Sequence, residues 1–69
     1  MKNNEFGNNL KQLRLEKRIS QRKLGEIFEV VNQTVSFWET GSREPDLDTL
    51  VKIAKYFGVT TDYLLGLED

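Results

Sequence analysis

Between Gln21 and Trp38 the chain carries two short amphipathic segments with only Glu29, Val30 and Val31 in which to turn. Leu24, Ile27 and Phe28 recur at the i, i+3, i+4 interval of one helix face, and Val35 and Trp38 repeat the three-residue step further on. No alternation of period two competes, so the spacing predicts helices rather than strands. A turn of three or four residues holds two short helices at a steep crossing angle. Gly25 falls where the first helix passes closest to the second, and without a Cβ it permits that approach. Gly inside a helix otherwise costs roughly 1 kcal/mol relative to Ala.

The flanking sequence reads as helices too. A first helix is expected from about Phe6 to Arg18, with Phe6, Leu10 and Leu13 on one face and Lys17 and Arg18 at the negative end of its dipole. Ser20 caps the second, about Gln21–Phe28, and Gly41 ends the third, about Asn32–Thr40. A loop runs to Pro45, which pushes Glu44 into extended geometry. Asp46 caps a fourth helix reaching Phe57, where Leu47, Leu50, Val51, Ala54 and Phe57 form a core stripe and Gly58 stops the helix. Thr60 caps a short fifth helix, Thr61–Leu65. Met1 to Glu5 read as a frayed polar start, with a basic-tipped arm as the alternative, and Glu68 and Asp69 as a tail. The expectation is an all-α fold, a compact bundle of five short helices, in a single domain over residues 1–69 that is ordered from about 6 to 66.

Composition narrows what such a bundle can do. With no Cys and no His, disulfides and thiolate metal sites are excluded, and the commonest metal ligand and acid–base catalyst is missing. No metal, cofactor or small-molecule ligand is expected. No nucleophile with a base, carboxylate dyad or phosphate-cradling loop can be assembled either, since Asp46 and Asp48 read as a helix start, so the chain is not expected to be an enzyme. Neither a secretory segment nor an apolar run long enough for a membrane is present, which predicts a cytoplasmic protein.

Charge at first argues against nucleic acid, because the net value is −1 and the pI about 5.4. Its distribution softens the objection. Up to Glu44 eight Lys and Arg face six Glu, whereas from Pro45 onward two Lys face five acids. The cationic excess therefore lies on the part that holds the paired helices.

The pair resembles the helix-turn-helix of the Cro and phage-repressor-like family, also called the xenobiotic-response-element family, with Gly25, Val30, Val35 and Trp38 in the small and apolar places. The resemblance extends over Leu10, Leu13 and Arg14, then Ile19-Ser20-Gln21, Trp38-Glu39-Thr40-Gly41 and Pro45. It continues through Leu50, Ile53, Ala54, Phe57, Gly58 and Val59 to Asp62-Tyr63-Leu64-Leu65-Gly66. It implies a lambda-repressor-like bundle with the helix-turn-helix in its second and third helices. Two positions depart from the pattern. Glu29 stands where the family usually has a Gly at positive φ, and Val31 stands where Ser or Thr would cap the recognition helix. Asn32 is an alternative cap that would shift the helix start by one residue.

The resemblance implies a partner, double-stranded DNA, with the second helix of the motif in the major groove. Matching the family's base readers are Val31, Asn32, Gln33, Thr34 and Phe37. Asn and Gln can offer a donor and an acceptor to adenine, and Val31 or Phe37 can pack on a thymine methyl, so an A·T-leaning half-site is expected. For Asn32, Gln33 and Thr34 the plainer alternative is an exposed helix start, and for Phe37 a dimer contact or a core edge. Gln21, Arg22, Lys23, Thr40, Ser42 and Arg43 match phosphate contacts, with a solvated face as the alternative for Arg22 and Lys23. Arg14 and Glu39 match a family ion pair that joins the first helix to the end of the recognition helix, and Trp38 reads as core. A homodimer is expected, in solution or induced by DNA, with its surface near Tyr56, Tyr63 and Leu67, although Tyr63, Leu64 and Leu65 read more strongly as core.

The function implied is a sequence-specific transcriptional regulator, most simply a repressor, in the cytoplasm of a bacterium and encoded by it or by a phage. The competing reading is a protein-interaction module on the same scaffold, such as an antitoxin or an anti-repressor partner, for which Val31 and Phe37 would be apolar contacts.

Overall fold

The computed structural model describes residues 4–68, in the order α1 (Glu5–Glu16), α2 (Gln21–Phe28), α3 (Asn32–Thr40), α4 (Leu47–Phe57) and α5 (Thr61–Leu64). Local chemistry sets most of these boundaries. Ser20, Asp46 and Thr60 each accept the backbone N–H three residues on, from Lys23 at 3.0 Å, Thr49 at 2.8 Å and Tyr63 at 2.9 Å. Hydrogen bonds from Thr49 also hold the Asp46 carboxyl below its ordinary pKa. Gly41 and Gly58 end α3 and α4 at φ 83° and 69°.

The core draws on every helix: Phe6, Leu10 and Leu13 from α1, Leu24 from α2, Val35 and Trp38 from α3, Leu50, Ile53 and Ala54 from α4, and Leu64 from α5. Ile19, Phe28, Val30, Phe57, Val59 and Leu65 close its edges. α3 packs against α1 and α2, and α5 against α1 and α4, so the second helix of the motif is braced along its inner face.

Several expectations need correction. α1 stops at Glu16 rather than Arg18, because Arg18 turns into the left-handed region at φ 59°. Its N–H bonds Leu15 O at 3.0 Å and that of Ile19 bonds Arg14 O at 3.3 Å, a helix-ending pattern that more often employs Gly. The expected frayed start falls outside the described residues as far as Asn3, but Asn4 and Glu5 are the N-cap and first residue of α1. Of the expected tail, Asp69 lies outside the described residues, while Glu68 accepts a hydrogen bond from Thr60 Oγ1. Asn32 does not cap α3. It is the first helical residue, and Val31 occupies the cap position with no side-chain bond.

The α4 stripe is also rotated from the one expected. Ile53 is fully buried, whereas Leu47 is 79% and Val51 42% exposed. Apolar residues lie on more than one side of this helix, so periodicity alone could not choose its inward face. Tyr63 is exposed while Leu64 beside it is fully buried. The fifth helix ends at Leu64, with Leu65 as its C-cap.

Glu29 does adopt the left-handed conformation, at φ 60°, with Val30 N–H on Gly25 O at 2.8 Å and Glu29 N–H on Glu26 O at 3.3 Å. A side chain there costs about 1–2 kcal/mol, of which Gly relieves most while adding about 0.5–1 kcal/mol of unfolded-chain entropy. Glu29→Gly is therefore expected to raise the melting temperature by a few degrees, read by circular dichroism. A fall on the same measurement would rule out strain at this turn.

Candidate nucleic-acid interface

Two buried anchors set the rotation of α3. Val35 and Trp38 are sealed in the core, and the helix therefore turns Val31, Asn32 and Gln33 to solvent, with Thr34 and Phe37 half-buried beside them. Val31 is extended at φ −72°, ψ 155° and 67% exposed, so the helix begins with an apolar tip followed by two amides. The approach of α2 that makes this turn possible depends on Gly25. A Cβ there would lie 2.5 Å from Val30 O and 3.3 Å from Val31 C.

Beneath α3 lies the ion pair of Arg14 and Glu39, 8% and 6% exposed. Arg14 Nε donates to Glu39 Oε2 at 2.7 Å and Nη2 to Oε1 at 3.2 Å, a bidentate pairing. The remaining nitrogen, Nη1, donates to Ile19 O at 2.8 Å and so ties down the segment between α1 and α2. Gln21 Nε2 adds a third donor to Glu39, at 3.1 Å. Among the described residues no buried side-chain nitrogen or oxygen is left without a partner. This cluster joins α1, the following loop, α2 and the last turn of α3.

The residues matched to phosphate contacts divide in two. Arg22, Lys23, Thr40, Ser42 and Arg43 are exposed, with Arg22 3.9 Å from Glu26 in a loose surface pair. Gln21 is half-buried and spends one amide hydrogen on Glu39. That bond, unforeseen in the sequence, makes the start of α2 and the end of α3 neighbours. After α3 the loop folds back on the helix: Thr40 Oγ1 donates to Phe37 O at 3.2 Å and shares a 3.0 Å hydrogen bond with Ser42 Oγ, and Arg43 N–H reaches Phe37 O at 3.3 Å. The Arg43 guanidinium stands 5.4 Å from the Phe37 ring centroid.

Asn4 and Gly7 also support this surface, neither of them foreseen from the sequence. Asn4 Nδ2 donates to Glu39 O at 3.2 Å, and a Cβ on Gly7 would lie 2.5 Å from Glu39 O and 2.6 Å from Trp38 O. The available signal was a glycine inside a helix, a cost that usually marks close packing.

Tyr56, expected near a dimer surface, is engaged within the chain. Its ring is edge-on to Phe28 at 5.6 Å and to Phe57 at 4.9 Å, with Lys17 Nζ 4.9 Å above it. Leu67 is 71% exposed. Among the described residues no helix is long and apolar enough to cross a membrane.

A short turn between two helices, the second offering amides outward above buried anchors, defines a helix-turn-helix domain. The chain belongs to the helix-turn-helix family, whose model matches residues 10–64. It is similar to the SPbeta prophage-derived HTH-type transcriptional regulator YonR of Bacillus subtilis, with 40% identity over 60 residues, covering 87% of this chain and 56% of YonR. The HTH-type transcriptional activator BcrR of Enterococcus faecalis is 40% identical over 65 residues, 94% of this chain and 32% of that protein. The HTH-type transcriptional regulator YgzD of Bacillus subtilis is 39% identical over 62 residues, 90% of this chain and 94% of YgzD. The chain thus spans about a third to a half of the first two relatives and nearly all of the third.

Proposed function

We propose that this chain binds double-stranded DNA sequence-specifically and regulates transcription in a bacterial cytoplasm, in the simplest case as a repressor that occupies an operator. The observation that carries the reading is the fixed rotation of α3, which buries Val35 and Trp38 and leaves Asn32 and Gln33 outward at its first turn. Those two amides suit adenine edges, and Val31 and Thr34 suit thymine methyls, in the major groove. Arg22, Lys23 and Arg43 supply the positive charge for phosphates, and Thr40 and Ser42 hydroxyls beside them. Gln21 retains a second amide hydrogen for a phosphate, directed by its bond to Glu39.

Two copies fit this role better than one. The longest axis is 29 Å, a little under the roughly 34 Å that separates half-sites on one face of DNA. A pair placed on successive turns therefore fits without overlap, and few base pairs are read by each.

Gel shift of random and selected duplexes at several salt concentrations tests the proposal. Three cations per copy predict a slope of log affinity against log salt of about −2.7, doubled for a pair on DNA. Gln33→Ala is expected to cost about 1–3 kcal/mol on the selected duplex and to relax preference at one base pair. The apolar tip at Val31 favours one other reading, a protein partner docking on the same helix. Failure to bind any duplex at low salt would turn the choice to that partner.

A further inference from the structure

We infer that Phe37 is a positioning residue for Arg43 rather than a reader of a base edge, an inference that rests on the DNA-binding reading above. Phe37 is the point onto which the loop after α3 folds. Its carbonyl accepts from Thr40 Oγ1 at 3.2 Å and from Arg43 N–H at 3.3 Å, and its ring lies 5.4 Å from the Arg43 guanidinium. Gly41, at φ 83°, permits the reversal that brings Arg43 back. The separation is within the roughly 6 Å reach of a cation–π contact. A guanidinium carries five N–H donors, so one held against a ring on one side keeps others free for a phosphate.

The arrangement has a consequence for both residues. An arginine on an exposed loop ordinarily gives up many rotamers when it meets a phosphate, and a ring that already holds it removes part of that loss. Conversely, the ring face turned to Arg43 is not available to a thymine methyl, and Phe37 is half-buried besides. Phe37 thus contributes to affinity through the phosphate contact and carries no sequence preference of its own.

The test measures affinity on a selected duplex and on a scrambled one, across a salt series, for wild type, Phe37→Leu, Phe37→Tyr, Arg43→Ala and the double variant Phe37→Leu/Arg43→Ala. Leu retains apolar volume without a ring face, and Tyr retains the ring. Phe37→Leu is expected to lose about three- to fivefold on both duplexes alike, the equivalent of one exposed cation–π contact, and Phe37→Tyr to bind as wild type. Arg43→Ala should lower the salt slope by about 0.9. Adding Phe37→Leu to Arg43→Ala should then change nothing further, the signature of coupled residues. Independently of DNA, the Arg43 side-chain resonances of the wild-type protein should be ring-current shifted, and Phe37→Leu should abolish the shift.

A loss confined to the selected duplex, with altered preference at one base pair that persists in the Arg43→Ala background, would overturn the inference and make Phe37 a base reader. An equal loss in both backgrounds, or unshifted Arg43 resonances, would overturn it as well. If wild type binds DNA and Phe37→Leu is unaffected, only this inference fails; if wild type binds no duplex, the DNA-binding reading fails and takes the inference with it.

Discussion

Glu39→Ala is expected to lower the unfolding free energy by about 3 to 5 kcal/mol, because it leaves the buried guanidinium of Arg14 without its charge partner. After the change Arg14 retains the Ile19 carbonyl at 2.8 Å, while the Gln21 amide loses its acceptor on α3. A chain of this size has roughly 3–10 kcal/mol in total, so thermal denaturation should show a domain close to unfolded at room temperature. DNA affinity should fall with it although Glu39 need touch no phosphate, because the end of α3 is no longer tied to α1 and α2. The paired replacement Arg14→Met with Glu39→Leu should sit well above either single change, since it leaves no charge unpartnered. A Glu39→Ala melt within a couple of degrees of wild type would show that the pair is solvated and contributes little.

Gly7→Ala should be strongly destabilising, by about 3 kcal/mol, against the usual sign of a Gly→Ala change inside a helix, which gains roughly 1 kcal/mol. The added Cβ would stand 2.5 Å from Glu39 O and 2.6 Å from Trp38 O, both of them backbone atoms in the last turn of α3. Neither can rotate aside, so α1 has to move away from α3, and the contacts of Phe6 and Leu10 in the core loosen with it. Such a loss corresponds to a melting temperature lower by about 12 °C or more. Equilibrium denaturation in urea checks it, and a stability equal to or above wild type would mean that α1 and α3 are not held so closely.

What the sequence could determine was local. Ser20, Asp46 and Thr60 cap helices with bonds that reach three residues along the chain, and Gly41 and Gly58 end helices by their own backbone freedom, so these boundaries need no knowledge of the rest of the fold. Of the apolar residues Leu24, Ile27 and Phe28 expected on one face of α2, Leu24 and Phe28 pack in or against the core, and Val35 and Trp38 likewise set the inner face of α3 and thereby the outward amides. The Arg14–Glu39 pair was legible through resemblance, and its bidentate geometry now accounts for both identities.

Tertiary structure decided what depends on distant neighbours. α4 carries apolar residues on more than one side, and only its packing against the other helices buries Ile53 while leaving Leu47 and Val51 in solvent. Arg18 is left-handed because the chain must leave α1 there to reach α2, with Arg14 holding the Ile19 carbonyl. Gly7, Asn4 and Gln21 owe their roles to residues 18 to 35 positions away. Helix propensity and capping act over a few residues, but the azimuth of a helix and the partners of a long polar side chain follow from three-dimensional contact, which no single stretch of sequence contains.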